Sequence, residues 1–110
     1  MPMPIDYSKY SDDALNIEIA SRIKRDDGTF WYDHDYLHDN AATWRALCEL
    51  GVVLGHFAWI PQWEGARLMR YVWVEWQGED QMTHRYEDPD PARAVWIAWL
   101  AWKDAQERRA

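Results

Sequence analysis

The sequence predicts an α+β fold: a small antiparallel sheet of three to four strands packed against about three helices on one face. Three observations carry this expectation. The segment from Asp90 to about Trp102 opens on helix-starting residues and spaces its apolar residues at three and four. Two runs before it, 53–59 and 68–76, are dense in β-branched and aromatic residues. Helix, strand, helix, three strands, helix is an order of segregated elements, unlike the strict alternation of a parallel α/β sheet.

Each element has its own local reason. Pro2 and Pro4 deny a helix to the opening, so Met1 to Tyr10 is expected to be extended. Ser11 is a suitable N-cap, Asp12 and Asp13 suit the positive first turn, and the helix is expected to reach about Lys24. Leu15, Ile19 and Ile23 recur every fourth residue as its buried stripe, with Arg22, Lys24 and Arg25 at its negative end. Asp26-Asp27-Gly28 reads as a turn and Thr29-Phe30-Trp31-Tyr32 as a short strand. After a loop from Asp33, Asp39 or Asn40 caps a second helix with Trp44, Leu47 and Cys48 on one side, ended by Gly51.

A strand from about Val53 to Trp59 is expected to stop near Pro61, with Gln62 to Gly65 as the return. Leu68 to Trp76 is apolar on both faces, as a central strand is. Gly78-Glu79-Asp80 makes the next turn, and Gln81 to Tyr86 reads as an edge strand with His84 and Arg85 outward. The final helix has Asp90 as N-cap and Pro91 at its first position. Val95, Trp96, Trp99 and Leu100 form its apolar face, broadened by Ile97 and Trp102, before a polar tail from Lys103 to Ala110.

The 110 residues suit a single compact domain, 1–110, able to bury a core without staples. A lone cysteine, Cys48, fits a reducing cytoplasm. The longest mostly apolar stretch, Gly51 to Ile60, is half of what a spanning helix needs, so no membrane segment is expected.

A net charge of −7 disfavours direct contact with nucleic acid. The acid is clustered, with Asp26, Asp27, Asp33, Asp35 and Asp39 in a stretch without Lys or Arg, then Glu75, Glu79, Asp80, Glu87, Asp88 and Asp90. Such carboxylates keep a small protein soluble, or they imitate a nucleic-acid backbone and fill a basic groove on a partner. Nine tryptophans exceed what a domain this small encloses fully, so some rings, Trp31 and Trp63 among them, are expected at the surface as anchors.

Enzymatic chemistry has one candidate constellation, Asp33-His34-Asp35-Tyr36-Leu37-His38-Asp39. On a helix, His34 and His38 would share a face and could hold a transition metal with Asp35 or Asp39, the basis of an alternative reading as a metal-dependent hydrolase. The general-base Glu of the helical His-Glu-x-x-His pattern is missing. Cys48 has no inferable base, His56 reads as a core or rim residue, and Ser8, Ser11 and Ser21 lie in no nucleophile elbow. The glycines form no phosphate-binding loop, and no catalytic residue, cofactor or resident metal is expected.

Three stretches, Asp6-Tyr7-Ser8-Lys9-Tyr10-Ser11-Asp12, Asn40-Ala41-Ala42-Thr43-Trp44 and Asp90-Pro91-Ala92-Arg93-Ala94-Val95, resemble the NinX-like family of small phage and prophage proteins. The chain departs from that family most between Leu54 and Trp76, where it is unusually aromatic. The resemblance implies a viral or prophage origin and action inside an infected bacterium, and it supplies no catalytic residue. Together with acid and aromatics, it leads to the expectation of a non-enzymatic inhibitor that binds a bacterial antiviral complex, such as a CRISPR effector, and blocks its nucleic-acid groove. Reversing Asp33, Asp35 and Asp39 to Lys would then weaken association much more than folding. Other readings are an accessory that binds another host enzyme, and a self-associating dimer.

Overall fold

The computed structural model describes residues 5–52, 56–64, 67–77 and 83–109. Its elements are α1 (Asp12–Ala20), α2 (Asn40–Val52), β1 (His56–Glu64), β2 (Arg67–Gln77), β3 (Thr83–Asp88) and α3 (Pro91–Arg109), with 3-10 turns at Tyr7–Lys9 and Tyr36–His38. The class is α+β. The strands form an antiparallel sheet in the order β1-β2-β3.

α3 organises the molecule. Ala94 through Leu100 are buried without interruption, so this helix is apolar around its whole circumference. It packs on β2 and β3 on one side and on α1, α2 and both 3-10 turns on the others. The helices therefore form two layers rather than one: α3 lies on the sheet, α2 lies chiefly on α3, and α1 packs on α3 and on the Tyr36–His38 turn. Asp90 accepts the Ala92 N–H at 3.0 Å, and Pro91 occupies the first turn, where its missing N–H costs nothing. The segment expected as a polar tail continues the helix to Arg109, because Trp102 and Ala105 still pack on the core and Asp104 has a partner inside the fold.

That partner corrects the expected extended opening at residues 7–9, while residues 1–4 lie outside the described residues. Asp6 caps the turn at Tyr7–Lys9, and Tyr7 is 2% exposed. The Tyr7 hydroxyl donates to Asp104 and accepts from Arg22, whose guanidinium also reaches Asp104 Oδ1 at 2.7 Å and Glu18 Oε2 at 2.8 Å. Desolvation opposes charge on Arg22, but these bonds outweigh it and hold the guanidinium protonated.

α1 starts at Ser11, whose Oγ accepts the Ala14 N–H at 3.1 Å, and buries Leu15, Ile19 and Ala20. It ends before the expected Lys24: the Ser21 hydroxyl donates to the Glu18 carbonyl, and the chain turns so that Ile23 still meets the core. Gly28, at φ +86°, sits in the following turn, a conformation that needs no Cβ. The expected strand at 29–32 reduces to one bridge between Lys24 and Phe30, leaving Phe30, Trp31 and Tyr32 exposed.

α2 buries the opposite face from the expected one. Ala42, Ala46 and Leu50 point inward, whereas Trp44 and Cys48 are exposed and Leu47 is half-buried. Small residues meet the bulky Trp-rich surface of α3, which lets the two helices lie close. The helix also passes the expected end at Gly51 and reaches Val52.

In the sheet, β1 runs through Pro61, which pairs with Arg70, and on to Glu64, so the expected return at 62–65 is largely strand. β1 is an edge strand, where a ladder tolerates proline. β2 is central, with Val74 and Trp76 buried. The expected turn at 78–80 lies outside the described residues, as do 81 and 82 at the expected start of the last strand. His84 and Arg85 are not both outward, because neighbours on a strand face opposite sides. The His84 ring stacks on Trp76 at 4.2 Å, while Arg85 lies over Trp73 at 4.1 Å.

Candidate functional site: an acidic and aromatic face

The loop from Asp33 to Asp39 is built from α1 and by its own side chains. Asn16 donates to Asp35 Oδ1 at 3.1 Å and accepts the Leu37 N–H at 3.2 Å, which ties the Tyr36–His38 turn to α1. His38 Nδ1 bonds Asp35 Oδ2 at 2.6 Å, and His34 Nε2 bonds Asp39 Oδ2 at 2.8 Å. The other Asp39 oxygen accepts the Ala42 N–H at 3.1 Å and so caps α2. The Asn16 amide, then His38, hold the Asp35 carboxyl below its ordinary range, and the Ala42 N–H followed by His34 do the same for Asp39.

A ladder of rings connects this loop to the core. Trp31 stacks on His34 at 3.8 Å under the Arg25 guanidinium, His34 meets the edge of Tyr36, and Tyr36 meets Trp96. The Trp96 indole N–H donates to the Tyr36 carbonyl and to the Thr43 hydroxyl. Trp31, 43% exposed, is thereby a surface ring on a rigid mount.

Two concavities flank the loop. One, of about 570 Å³, is lined by Asp12, Asp13, Asn16, Ile17, Tyr32, Asp33, His34, Asp35 and His38, with no Lys or Arg among them. The other, of about 590 Å³, is an apolar groove between the starts of α2 and α3, lined by Leu37, Thr43, Trp44, Leu47, Pro91, Ala92 and Val95 with His38, Asn40 and Asp90. His38 borders both.

The acidic residues separate into two kinds. Asp13, Asp26 and Asp33 are exposed and have no side-chain partner among the described residues. Asp27 is exposed but closes its turn on Thr29, Asp35 belongs to the loop network, and Asp39 is a helix cap. Asp39 therefore cannot be reversed without touching the fold, because it fills the capping role that the sequence offered to Asp39 or Asn40. Among the described residues of the second acidic stretch the carboxylates are engaged within the fold: Glu75 and Glu87 flank Arg85, Asp88 pairs with Arg93 at 3.2 Å, and Asp90 caps α3. Glu79 and Asp80 lie outside the described residues, and Trp63 lies on β1, in register with Leu68.

His34 and His38 each engage a carboxylate of the loop, and among the described residues no group of three or more His, Cys, Asp or Glu is placed to hold a metal ion. No helix among the described residues is long and apolar enough to cross a membrane. The sequence reading missed the contribution of Asp12, Asp13, Ile17 and Tyr32 to the pocket, and it placed Trp44 on the buried side. The Ala42, Ala46, Leu50 spacing was the available signal for the latter, since it competes with Trp44 for the inward face.

Comparison of the chain with protein-family models, with curated proteins and with solved structures finds no match.

Proposed function

We propose that this protein acts by binding, without making or breaking a covalent bond, and that the acidic and aromatic face around residues 26–39 docks on a basic surface of a partner protein or ribonucleoprotein. The observation that carries this reading is the company of Asp13 and Asp33, carboxylates without a partner in the fold, with exposed Tyr32 and Ile17 in one pocket, beside the rigidly mounted Trp31. Uncommitted charge steers encounter, and a ring whose rotamer is already fixed loses little entropy on contact. The resemblance to small phage and prophage proteins supports the specific form of the reading: a phage-encoded inhibitor in the bacterial cytoplasm that occupies the nucleic-acid groove of an antiviral complex.

The test is competition with target DNA for a purified RNA-guided effector complex, at low and at physiological salt. The protein is expected to lower DNA occupancy. Asp26→Lys combined with Asp33→Lys is expected to weaken that competition by about tenfold or more at low salt. Undiminished DNA binding in the presence of the protein defeats the inhibitor reading. Competition that survives charge reversal unchanged defeats the proposed face.

A further inference from the structure

The apolar groove beside the acidic pocket carries a more specific conclusion, which rests on the binding reading above. Trp44 stands in this groove 66% exposed, more than any other large apolar side chain described, above Leu37, Leu47 and Val95. A tryptophan left in water forfeits most of the free energy its burial would supply. Two helix starts border the groove, and a carboxylate already caps each, Asp39 on the Ala42 N–H and Asp90 on the Ala92 N–H, which disfavours a further anion there. Negative charge is supplied from the neighbouring pocket, across the shared His38, by Asp13 and Asp33. A second copy is a poor occupant, because it would bring a chain of net charge −7 against an acidic rim.

We infer that the groove receives a basic amphipathic segment of the partner, whose apolar side chains pack against Trp44 while its Arg or Lys side chains reach over His38 to Asp33 and Asp13. The face is then bipartite, with an apolar anchor site and a charge site sharing one boundary residue.

The probe is a fluorescein-labelled helical peptide with Leu at i, i+3, i+4 and i+7 and Arg on the flanking positions, followed by fluorescence anisotropy. Wild-type protein is expected to bind it, and to lose the interaction when either the Leu or the Arg positions become Gln. Trp44→Ala is expected to weaken binding by about tenfold or more, the size of a central aromatic contact. Asp13→Lys with Asp33→Lys is expected to weaken binding and flatten its salt dependence. Circular dichroism confirms that each variant is folded, as the exposure of all three side chains leads one to expect.

If Trp44→Ala leaves affinity unchanged while charge reversal abolishes it, the groove assignment is overturned and the acidic face stands. Binding that ignores charge reversal but needs Trp44 overturns the basic character of the occupant and the acidic reading together. No binding by the wild-type chain, or a dimer in sedimentation that dissociates on Trp44→Ala, overturns the inference in favour of another occupant.

Discussion

Replacing Asp39 by Ala separates the structural carboxylates of the loop from the available ones. One Asp39 oxygen accepts the Ala42 N–H and the other bonds His34. Losing an N-cap costs about 0.5–2 kcal/mol, and the bond to His34 adds about 0.5–1.5 kcal/mol. The expected destabilisation is thus about 1–3.5 kcal/mol. With an unfolding entropy of roughly 2.1 cal/mol/K per residue over 110 residues, each kcal/mol lowers Tm by about 4 °C, so Asp39→Ala should melt about 4–15 °C below wild type. Asp39→Asn keeps a capping oxygen and should recover much of this loss. Asp33→Ala, which removes no bond within the fold, should stay within about 2 °C, the equivalent of 0.5 kcal/mol.

The pH dependence follows the same chemistry. Because the folded Asp39 carboxyl titrates below its unfolded value, its contribution is fully present above about pH 4 and is lost as pH falls through the folded pKa. The gap between wild type and Asp39→Ala should close in that acid range. Far-UV circular dichroism melts of the three variants across pH decide the matter. Asp39→Ala melting with wild type at neutral pH, or Asp33→Ala falling equally far, refutes the division of these carboxylates into caps and contacts.

Three further outcomes are expected. Leu15→Ala, at a site with 0% exposure, should cost about 2–5 kcal/mol in urea unfolding, and a cost near zero would show that α1 is not docked as described. Gly28→Ala should cost about 1–2 kcal/mol through its φ of +86° alone, since the nearest side-chain atom to the added Cβ is Lys24 Cε at 3.9 Å; a more stable variant would contradict that backbone. Tyr7→Phe should lose about 1.5–3 kcal/mol with its bonds to Asp104 and Arg22. Burial, then Asp104, raise the Tyr7 phenol above its ordinary range, so the stability linked to its proton is present below about pH 10 and declines as pH rises through the folded value. Equal alkaline profiles for Tyr7→Phe and wild type would contradict that burial.

Where the sequence was legible, a residue had one local task. Ser11 and Asp90-Pro91 place the starts of α1 and α3, Gly28 marks a turn, and an apolar run on both faces marks β2 as central. Where reading failed, tertiary packing chose between local options. Trp44 and Ala46 both belong on an apolar stripe, and the bulk of α3 selected the alanine side. Pro61 ends a strand by its own preference, yet an edge position accommodates it. The tail after Lys103 looks solvated in sequence, but Asp104 meets Tyr7 across the whole chain length, a contact no window of neighbouring residues reveals. For the site, clustering of Asp26 to Asp39 and the capping roles of Asp39 and Asp90 were visible, whereas the bonds that engage Asp27 and Asp35 and leave Asp33 available depended on distances.

The position of α3 also bears on how the molecule is made. The layers that flank it, α1 and α2 on one side and the sheet on the other, are synthesised before it, so each must wait with its oily surface uncovered until residues 91–100 emerge from the ribosome. Nascent chains cut short of that point lack the helix on which these layers pack and are natural clients for chaperones and proteases. Closure of the core then waits on α3, and a lesion such as Trp96→Ala, at a side chain 1% exposed, should lower the yield of finished protein.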